Sequence, residues 1–463
     1  MSTDAPAIAS PELVLVRYGE LALKGGNRKS FERALMRNIR EVVEPISPAR
    51  IDRSVGRITL WPERRGGRVA ARAADVFGVK SVSPAWGVEN DPEAIAALGK
   101  QLLMEALEER KGPEPVTFRV RAKRADKRFP MRSTELEHFV GERVLPGPER
   151  VKVQLRDPEL TLGVEVRDRR TFLFLKRIPG PGGLPVGTIG RGLCLISGGI
   201  DSPVAAWMAM KRGLNMGYVT FHSAPYIGEG YKKKVTDLVR TLCRWQPSAA
   251  LFVVPFAEIQ TEIRDRAPEE YRTVLYRRTM QRIAARLADR NGYLALVTGE
   301  CLGQVASQTL ENMTCIGEAS ERLVLRPLVT FDKEEVISVA RKIGTLDISN
   351  VPEPDCCTVF QPSRPVIRGR VTDCRAIEAS MELDPLIESA VANVEQIAVE
   401  ARRIASPRSS SGWRPCWLTP LPSTSPIRGI SLPRTRLRTG PTTWPGSGSG
   451  KVCSSGTWGL RSS

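Results

Sequence analysis

Leu193-Cys194-Leu195-Ile196-Ser197-Gly198-Gly199-Ile200-Asp201-Ser202-Pro203-Val204-Ala205-Ala206-Trp207-Met208 is the stretch that decides the fold. Its first four residues form a continuous apolar run, the pattern of a strand buried on both faces. From Pro203 the chain turns helical, with proline in the first turn, where its missing N–H is no loss. Between strand and helix, Gly198 and Gly199 allow a tight turn that brings backbone amides close to a ligand. The helix N-terminus adds partial positive charge, which suits a phosphate. No Lys-Ser or Lys-Thr pair follows the glycines and the spacing is not GxGxxG, so neither a Walker loop nor a dinucleotide fingerprint is present.

Downstream, apolar strands and amphipathic helices continue to alternate, with strands expected at 217–221, 251–254 and 293–297. That alternation predicts a parallel α/β sheet with ligands at the carboxyl ends of its strands. Thr298-Gly299-Glu300-Cys301-Leu302-Gly303-Gln304-Val305-Ala306-Ser307-Gln308-Thr309 follows a strand and is suited to line a nucleotide pocket. Arg326-Pro327-Leu328 leads to Phe331-Asp332-Lys333, after which Val336, Ala340 and Ile343 form one apolar helix face. Lys333 at that N-terminus is a candidate for meeting phosphate charge; alone, it would read as a surface lysine. A helix over 271–290 carries Arg278, Arg282, Arg286 and Arg290 at four-residue spacing, which reads as a solvated face. In Pro352-Glu353-Pro354-Asp355-Cys356-Cys357-Thr358, an acidic, Pro-rich loop makes the two thiols look exposed enough for redox or sulfur chemistry. The competing reading is a pair of inert buried thiols.

Upstream, Ile178-Pro179-Gly180-Pro181-Gly182-Gly183-Leu184-Pro185 reads as a linker. Two α+β units precede it. The first has a strand at 13–16, a helix at 30–43 with Phe31, Ala34, Leu35 and Ile39 at helical spacing, and a strand at 58–61. The second has helices at 92–109 and 133–144 and strands at 116–120, 151–155 and 161–166. Between 119 and 129, Arg119, Arg121, Lys123, Arg124, Lys127 and Arg128 make six of eleven residues basic. That density favours a grip on RNA phosphates over the blunting of an edge strand.

Composition narrows the function classes. The 463 residues carry a formal charge of +18, and removing the eight basic residues of 406–463 still leaves +10, which favours a polyanionic partner. No run of about 18 apolar residues occurs and the N-terminus lacks a secretion-signal pattern, so a cytoplasmic protein with no membrane partner is expected. Nine cysteines without a CxxC pair, and only His138 and His222 for imidazole, argue against a disulfide framework, a structural zinc site and a Ser-His-Asp hydrolase. Residues 406–463 keep no helical or strand period and hold four of the eight tryptophans. They read as disordered, or as translation in an aberrant frame.

The hexapeptide 197–202 resembles the PP-loop of ATP pyrophosphatases, which cleave ATP between the α and β phosphates. Arg17-Tyr18-Gly19-Glu20-Leu21-Ala22-Leu23-Lys24-Gly25, the segment 119–129, this loop, the segment 298–309, Arg326-Pro327-Leu328 with Asp332-Lys333, and Asp355-Cys356-Cys357 occur in that order. The series is similar to the tRNA 4-thiouridine synthetases over roughly residues 13–365. That resemblance implies a ferredoxin-like domain (1–69), a THUMP RNA-binding domain (70–176) and a Rossmann-like PP-loop ATP pyrophosphatase domain (177–405), ahead of the tail at 406–463.

The resemblance also implies an ATP site with contacts at Leu195, Ile196, Thr220, Phe221, Arg277, Gly299 and Gln308, beside Ser197, Gly198, Gly199 and Ser202 of the loop. Asp201 and Lys333 match the essential acid and lysine, with Asp201 suited to helping place Mg²⁺ among the phosphates. Cys356 or Cys357 matches the active cysteine, and the following Cys-Thr-Val favours Cys357. Nothing after Ala405 resembles the rhodanese-like domain that ends some members, so a separate cysteine desulfurase is the implied sulfur donor. The tRNA would be the substrate, and a sulfur-carrier protein of thiamine thiazole synthesis a further partner. Two other readings stay open: a 2-thiouridine-type tRNA thiolase, which lacks a THUMP unit, and a non-catalytic RNA-binding protein with a degenerate nucleotide fold. The resolving thiol, the particular desulfurase and the oligomeric state, a homodimer included, are not fixed by the sequence.

Overall fold

The computed structural model describes residues 10–23, 25–54, 56–110, 112, 115–356 and 359–401. The tail at 406–463 and Cys357, both singled out above, lie outside the described residues. In the first unit the order is β1 (Leu13–Tyr18), α1 (Arg28–Val43), β2 (Ala49–Ser54), β3 (Arg57–Pro62), α2 (Gly66–Ala73) and β4 (Val79–Val88). Strand β1 pairs antiparallel with β3 on one side and β4 on the other. Side chains alternate across a strand, so Val14, Val16 and Tyr18 pack into a core with Leu35, Ile39, Leu60, Val69 and Val79. Leu13, Leu15 and Arg17 belong to the opposite face, where Leu13 and Leu15 pack with Ala85 and Phe172.

The second unit adds α3 (Pro92–Glu108), β5 (Val116–Arg124), α4 (Ser133–Val144), β6 (Val151–Val153), β7 (Leu160–Val166) and β8 (Thr171–Phe174). Helix α3 starts where its sequence says it should: the Asp91 carboxylate accepts from Ala94 N–H at 2.8 Å, with Pro92 in the first turn. All of these strands join one sheet in the order β2-β3-β1-β4-β8-β7-β5-β6. The expected boundary at residue 70 therefore falls inside the first core. The change-over lies within β4, whose residues 79–85 pair with β1 and whose residues 86–88 pair with β8. The stretch expected to be a linker is also tied down. Its first residues form β9 (Ile178–Pro179) on β4, and Gly182 exchanges backbone hydrogen bonds with Val79 and Gly78.

The third unit runs β10 (Gly190–Leu195), α5 (Asp201–Lys211), β11 (Leu214–His222), α6 (Glu229–Leu242), β12 (Ser248–Pro255), α7 (Ala257–Arg266) and α8 (Arg272–Asn291). It continues with β13 (Ala295–Val297), α9 (Leu310–Glu318), β14 (Leu323–Leu325), α10 (Lys333–Ile343), α11 (Leu346–Ser349), α12 (Val371–Ala379), α13 (Leu383–Ala392) and β15 (Glu395–Glu400). The sheet order is β14-β13-β10-β11-β12-β15, parallel except for β15, an antiparallel edge strand that the sequence pattern did not suggest. Connections run one way from β10 to β11 and β12 and the other way to β13 and β14. That reversal opens a crevice at the carboxyl end of β10.

The arginine stripe of α8 is a correction. Arg278 is 1% exposed and pairs with Glu378 (2.8 Å) and Glu318 (2.8 Å), and Arg282 also meets Glu378. Arg286 and Arg290 reach Glu388 of α13. The stripe is thus the seam that docks α12 and α13, because Glu378 and Glu388 come from about a hundred residues further along the chain, with Glu318 of α9 added from 40 residues on.

Candidate functional site

The crevice holds the loop. Ser197 N–H donates to Ser202 Oγ at 2.9 Å and Gly199 N–H to Ser197 Oγ at 3.3 Å, so the two serines close the turn from β10 into α5. Gly299, two residues past β13, must be glycine: a Cβ there would stand 2.6 Å from Ser202 N. Leu195, Ile196, Ser197, Gly199, Asp201, Ser202, Phe221, Arg277, Gly299 and Gln308 line one cavity of about 200 Å³, and Cys356 shares its wall. Gly198, Thr220 and Lys333 are not on that wall. Gly198 backs onto Lys234, and Thr220 is buried with its hydroxyl 3.1 Å from that of Tyr231, which does line the cavity. A larger groove of about 790 Å³ lies at the amino ends of the strands, lined by Arg191, Leu214, Leu294 and Leu323, and contains none of the loop residues.

Lys333 reaches the site through Asp201. Asp332 caps α10 by accepting from Glu335 N–H at 2.8 Å, and the Glu335 carboxylate accepts from Asp332 N–H at 3.0 Å, a reciprocal box that fixes where the helix begins. The Lys333 ammonium then lies 2.7 Å from Asp201 Oδ1, while Gln304 Nε2 donates to Asp201 Oδ2 at 3.0 Å.

Sequence reasoning missed Glu300 and Lys234. Glu300 is 5% exposed and accepts from Arg326 Nε at 2.7 Å, Thr298 Oγ1 at 2.9 Å and Arg277 at 3.4 Å, orienting two guanidinium groups at the rim. Its only signal was its place between Gly299 and Cys301. Lys234 is buried, and burial lowers its pKa, with Asp355 and Glu353 acting the other way. Its Nζ donates to Val351 O at 2.7 Å, and Ser349 Oγ donates to Gly199 O at 3.2 Å. Together these bonds latch the segment ahead of the cysteines onto the loop.

Cys356 corrects the expectation of an exposed thiol. It is 2% exposed, and its carbonyl accepts from Gln260 Nε2 at 2.9 Å. Gln260, fully buried, takes its other bond from Ser223 Oγ. The residue is thus buried while sharing the wall of the cavity.

Of the six basic residues expected to meet RNA, Arg121, Lys123, Lys127 and Arg128 are exposed. Arg128 is held by the carboxylates of Asp126 and Asp168. Arg124 donates to the carbonyls of Phe129 (2.9 Å) and Met131 (2.8 Å), and Arg119 to that of Leu155 (2.7 Å). Arg124 thus shapes the loop after β5, and Arg119 ties β5 to the stretch after β6.

Comparison with known proteins follows the same division. Residues 187–383 match the family model of the thiamine biosynthesis protein (ThiI), residues 13–83 the ThiI ferredoxin-like domain and residues 89–176 the THUMP domain. A "probable tRNA sulfurtransferase" of Brevibacillus brevis is 42% identical over 387 residues, spanning 83% of this chain and 95% of the relative. The chain belongs to the tRNA sulfurtransferase family. A family member from Halothermothrix orenii is 40% identical over 84% of this chain and 99% of its own length. A crystal structure of a 4-thiouridine synthetase–RNA complex with bound ATP superposes with a TM-score of 0.77 at 37% identity, covering 84% of this chain and 99% of that one. A Pyrococcus horikoshii protein superposes at 0.56 with 26% identity, over 72% of this chain and 99% of that one.

Proposed function

We propose that this family member uses ATP to replace the O4 oxygen of a tRNA uridine with sulfur, giving 4-thiouridine. The observation that carries the reading is one cavity bordered by the loop 197–202, by Asp201 with its Lys333 partner, and by Cys356. The ATP-bound RNA complex of the superposed 4-thiouridine synthetase supports the nucleotide and the RNA substrate. Gln308 Oε1, Gln281 Oε1 and Arg277 Nε are buried at this cavity without protein partners, which fits a ligand rich in donors and acceptors such as a nucleotide.

In this reading the uridine O4 attacks the α-phosphorus of ATP and pyrophosphate leaves. Loop amides and the N-terminus of α5 hold the phosphates, while Lys333 and Arg277 offset the charge that develops on them. A Mg²⁺ ion held by one carboxylate together with phosphate oxygens fits Asp201, and it would neutralise phosphate charge. The outer sulfur of a cysteine persulfide, on Cys356 or Cys357, then attacks C4 and AMP leaves. A second thiol breaks the remaining S–S bond, forming a disulfide and releasing the thiolated base. The persulfide comes from a cysteine desulfurase. The same carrier would serve a sulfur-carrier protein for thiamine thiazole, in keeping with the ThiI family model. Pyrophosphate release from ATP that depends on added tRNA tests the activation step. Release that is equally fast without tRNA contradicts it.

A further inference from the structure

Two parallel sets of contacts tie the loop after β11, the helix α7 and the cysteine loop together. The inner set is buried: Ser223 Oγ donates to Gln260, and Gln260 Nε2 donates to Cys356 O at 2.9 Å. The outer set lies three or four residues further along each segment, at Tyr226, Arg264 and Phe360. The Tyr226 and Phe360 rings meet in a T-shaped contact, with centroids 5.0 Å apart and planes at 72°. The Arg264 guanidinium, paired with Asp265 at 2.7 and 3.0 Å, lies over the Phe360 ring, 4.5 Å from its centroid.

The outer set is open to solvent where the inner one is not. Tyr226 is 48% exposed and is, among the described residues, the one exposed tyrosine. Left in water, its ring forgoes the large apolar burial that an aromatic side chain offers. Both rings depart from the wall of the nucleotide cavity, which Phe221, five residues before Tyr226, and Cys356, four before Phe360, help to line. A turn closed by Val359 N–H on Cys356 O at 3.3 Å returns Phe360 to the side of the cysteine, and Phe360 itself adopts a φ of 55°. That left-handed backbone is costly for a bulky residue and persists only where the surroundings over-determine it. The contacts of the ring with Tyr226 and Arg264 hold it there.

We propose that Tyr226, buttressed by Phe360 and Arg264, is the platform on which the target uracil stacks at the mouth of the cavity, beside the cysteine loop. The inference rests on the tRNA uridine being the substrate. Its O4 must reach ATP and its C4 must reach sulfur, which a base still stacked and paired within the RNA does not allow. A base drawn out of its stack loses its neighbours, and an aromatic ring replaces them. Phe360 and Arg264 are positioning residues: they fix the Tyr226 ring, and Tyr226 meets the base. A pair of rings that only packs the loop would make the same contacts but leave the use of tRNA untouched.

The test is the rate of 4-thiouridine formation against tRNA concentration for the full chain, Tyr226→Ala and Tyr226→Phe, with ATP affinity and melting temperatures measured alongside. Loss of one stacking face is expected to lower kcat/KM for tRNA roughly tenfold in Tyr226→Ala. ATP affinity should hold, and so should the log–log salt slope of tRNA binding, because no phosphate contact is removed. Tyr226→Phe keeps the face and should retain most of what Tyr226→Ala loses. Should Tyr226→Ala fail to fold, Tyr226→Leu, with apolar bulk but no aromatic face, gives the same comparison with Tyr226→Phe. Unchanged kcat/KM in the folded non-aromatic variant overturns the platform. An equal loss in Tyr226→Phe also overturns it, since that marks the hydroxyl, and so does a loss matched by weaker ATP binding, which marks collapse of the cysteine loop. Formation of 4-thiouridine by the unsubstituted protein, assayed in parallel, separates failure of the platform from failure of the functional reading.

Discussion

Lys333 and Asp201 are 132 residues apart in sequence and 2.7 Å apart in space. The ammonium begins α10, the carboxylate begins α5, and the two helix N-termini converge at the loop. Both side chains are partly exposed, at 42% and 20%, so their pairing contributes little to stability.

Asp201→Ala and Lys333→Ala should each abolish tRNA-dependent pyrophosphate release while leaving the folded state within about 1 kcal/mol of the original. Because the pair acts as a unit, the double variant should be little worse than either single one. Single-turnover assays with a tRNA-binding control check this. Full additivity would separate the two residues.

Arg278→Ala should be severely destabilising, by about 3–5 kcal/mol, since it takes the bidentate partner from buried Glu378 and leaves that carboxylate Arg282 alone. Arg286→Ala, whose partners Asp384 and Glu388 are exposed, should cost under about 1 kcal/mol. Chemical denaturation of both variants makes the comparison.

These two cases show what was legible in the sequence and what was not. The nucleotide loop is local: strand, Ser-Gly-Gly and helix sit within sixteen residues and need no partner to be read. The α8 arginines were misread because nothing nearby announces Glu318, Glu378 or Glu388. The enclosure of Cys356 escaped for the same reason, since Gln260 holds its carbonyl from 96 residues away. The 178–185 stretch has linker composition, yet its Gly and Pro residues serve a short strand and turn against β4, a partner almost a hundred residues earlier. Glu300, a single acid in a polar loop, acquires meaning only when Arg277 and Arg326 arrive from two other elements.

Replacing Arg121, Lys123 and Lys127 together with Ala should weaken tRNA binding and flatten its salt dependence, by about 0.7–0.9 in log–log slope for each phosphate no longer neutralised. Arg124→Ala should instead loosen the loop after β5, because its guanidinium holds the carbonyls of Phe129 and Met131. Salt titrations paired with melting curves distinguish the two effects. An unchanged slope in the triple variant contradicts an RNA role for β5.

Glu32 links stability to pH. Burial alone raises its pKa, but the Tyr18 hydroxyl at 2.5 Å and the guanidinium groups of Arg28 and Arg53 outweigh it and hold the pKa below the ordinary 4.5. A carboxylate with a depressed folded pKa contributes stability above its unfolded value, and that contribution is lost as pH falls through the folded one. The protein should therefore lose stability on acidification below about pH 4.5, and Glu32→Gln should be less stable at neutral pH with a shallower acid limb. Equal acid limbs for the two proteins count against this linkage.

The central claim is that a single cavity joins uridine activation to sulfur delivery. The most direct measurement is nucleoside mass spectrometry of tRNA incubated with the protein, ATP, cysteine and a cysteine desulfurase, with pyrophosphate release followed in the same tubes. The account predicts 4-thiouridine only when ATP is present, and none from Asp201→Ala. From the double Cys356→Ser, Cys357→Ser variant it predicts pyrophosphate release without 4-thiouridine. Formation of 4-thiouridine by the double cysteine variant at the normal rate, or of 2-thiouridine by the unsubstituted protein, would contradict it.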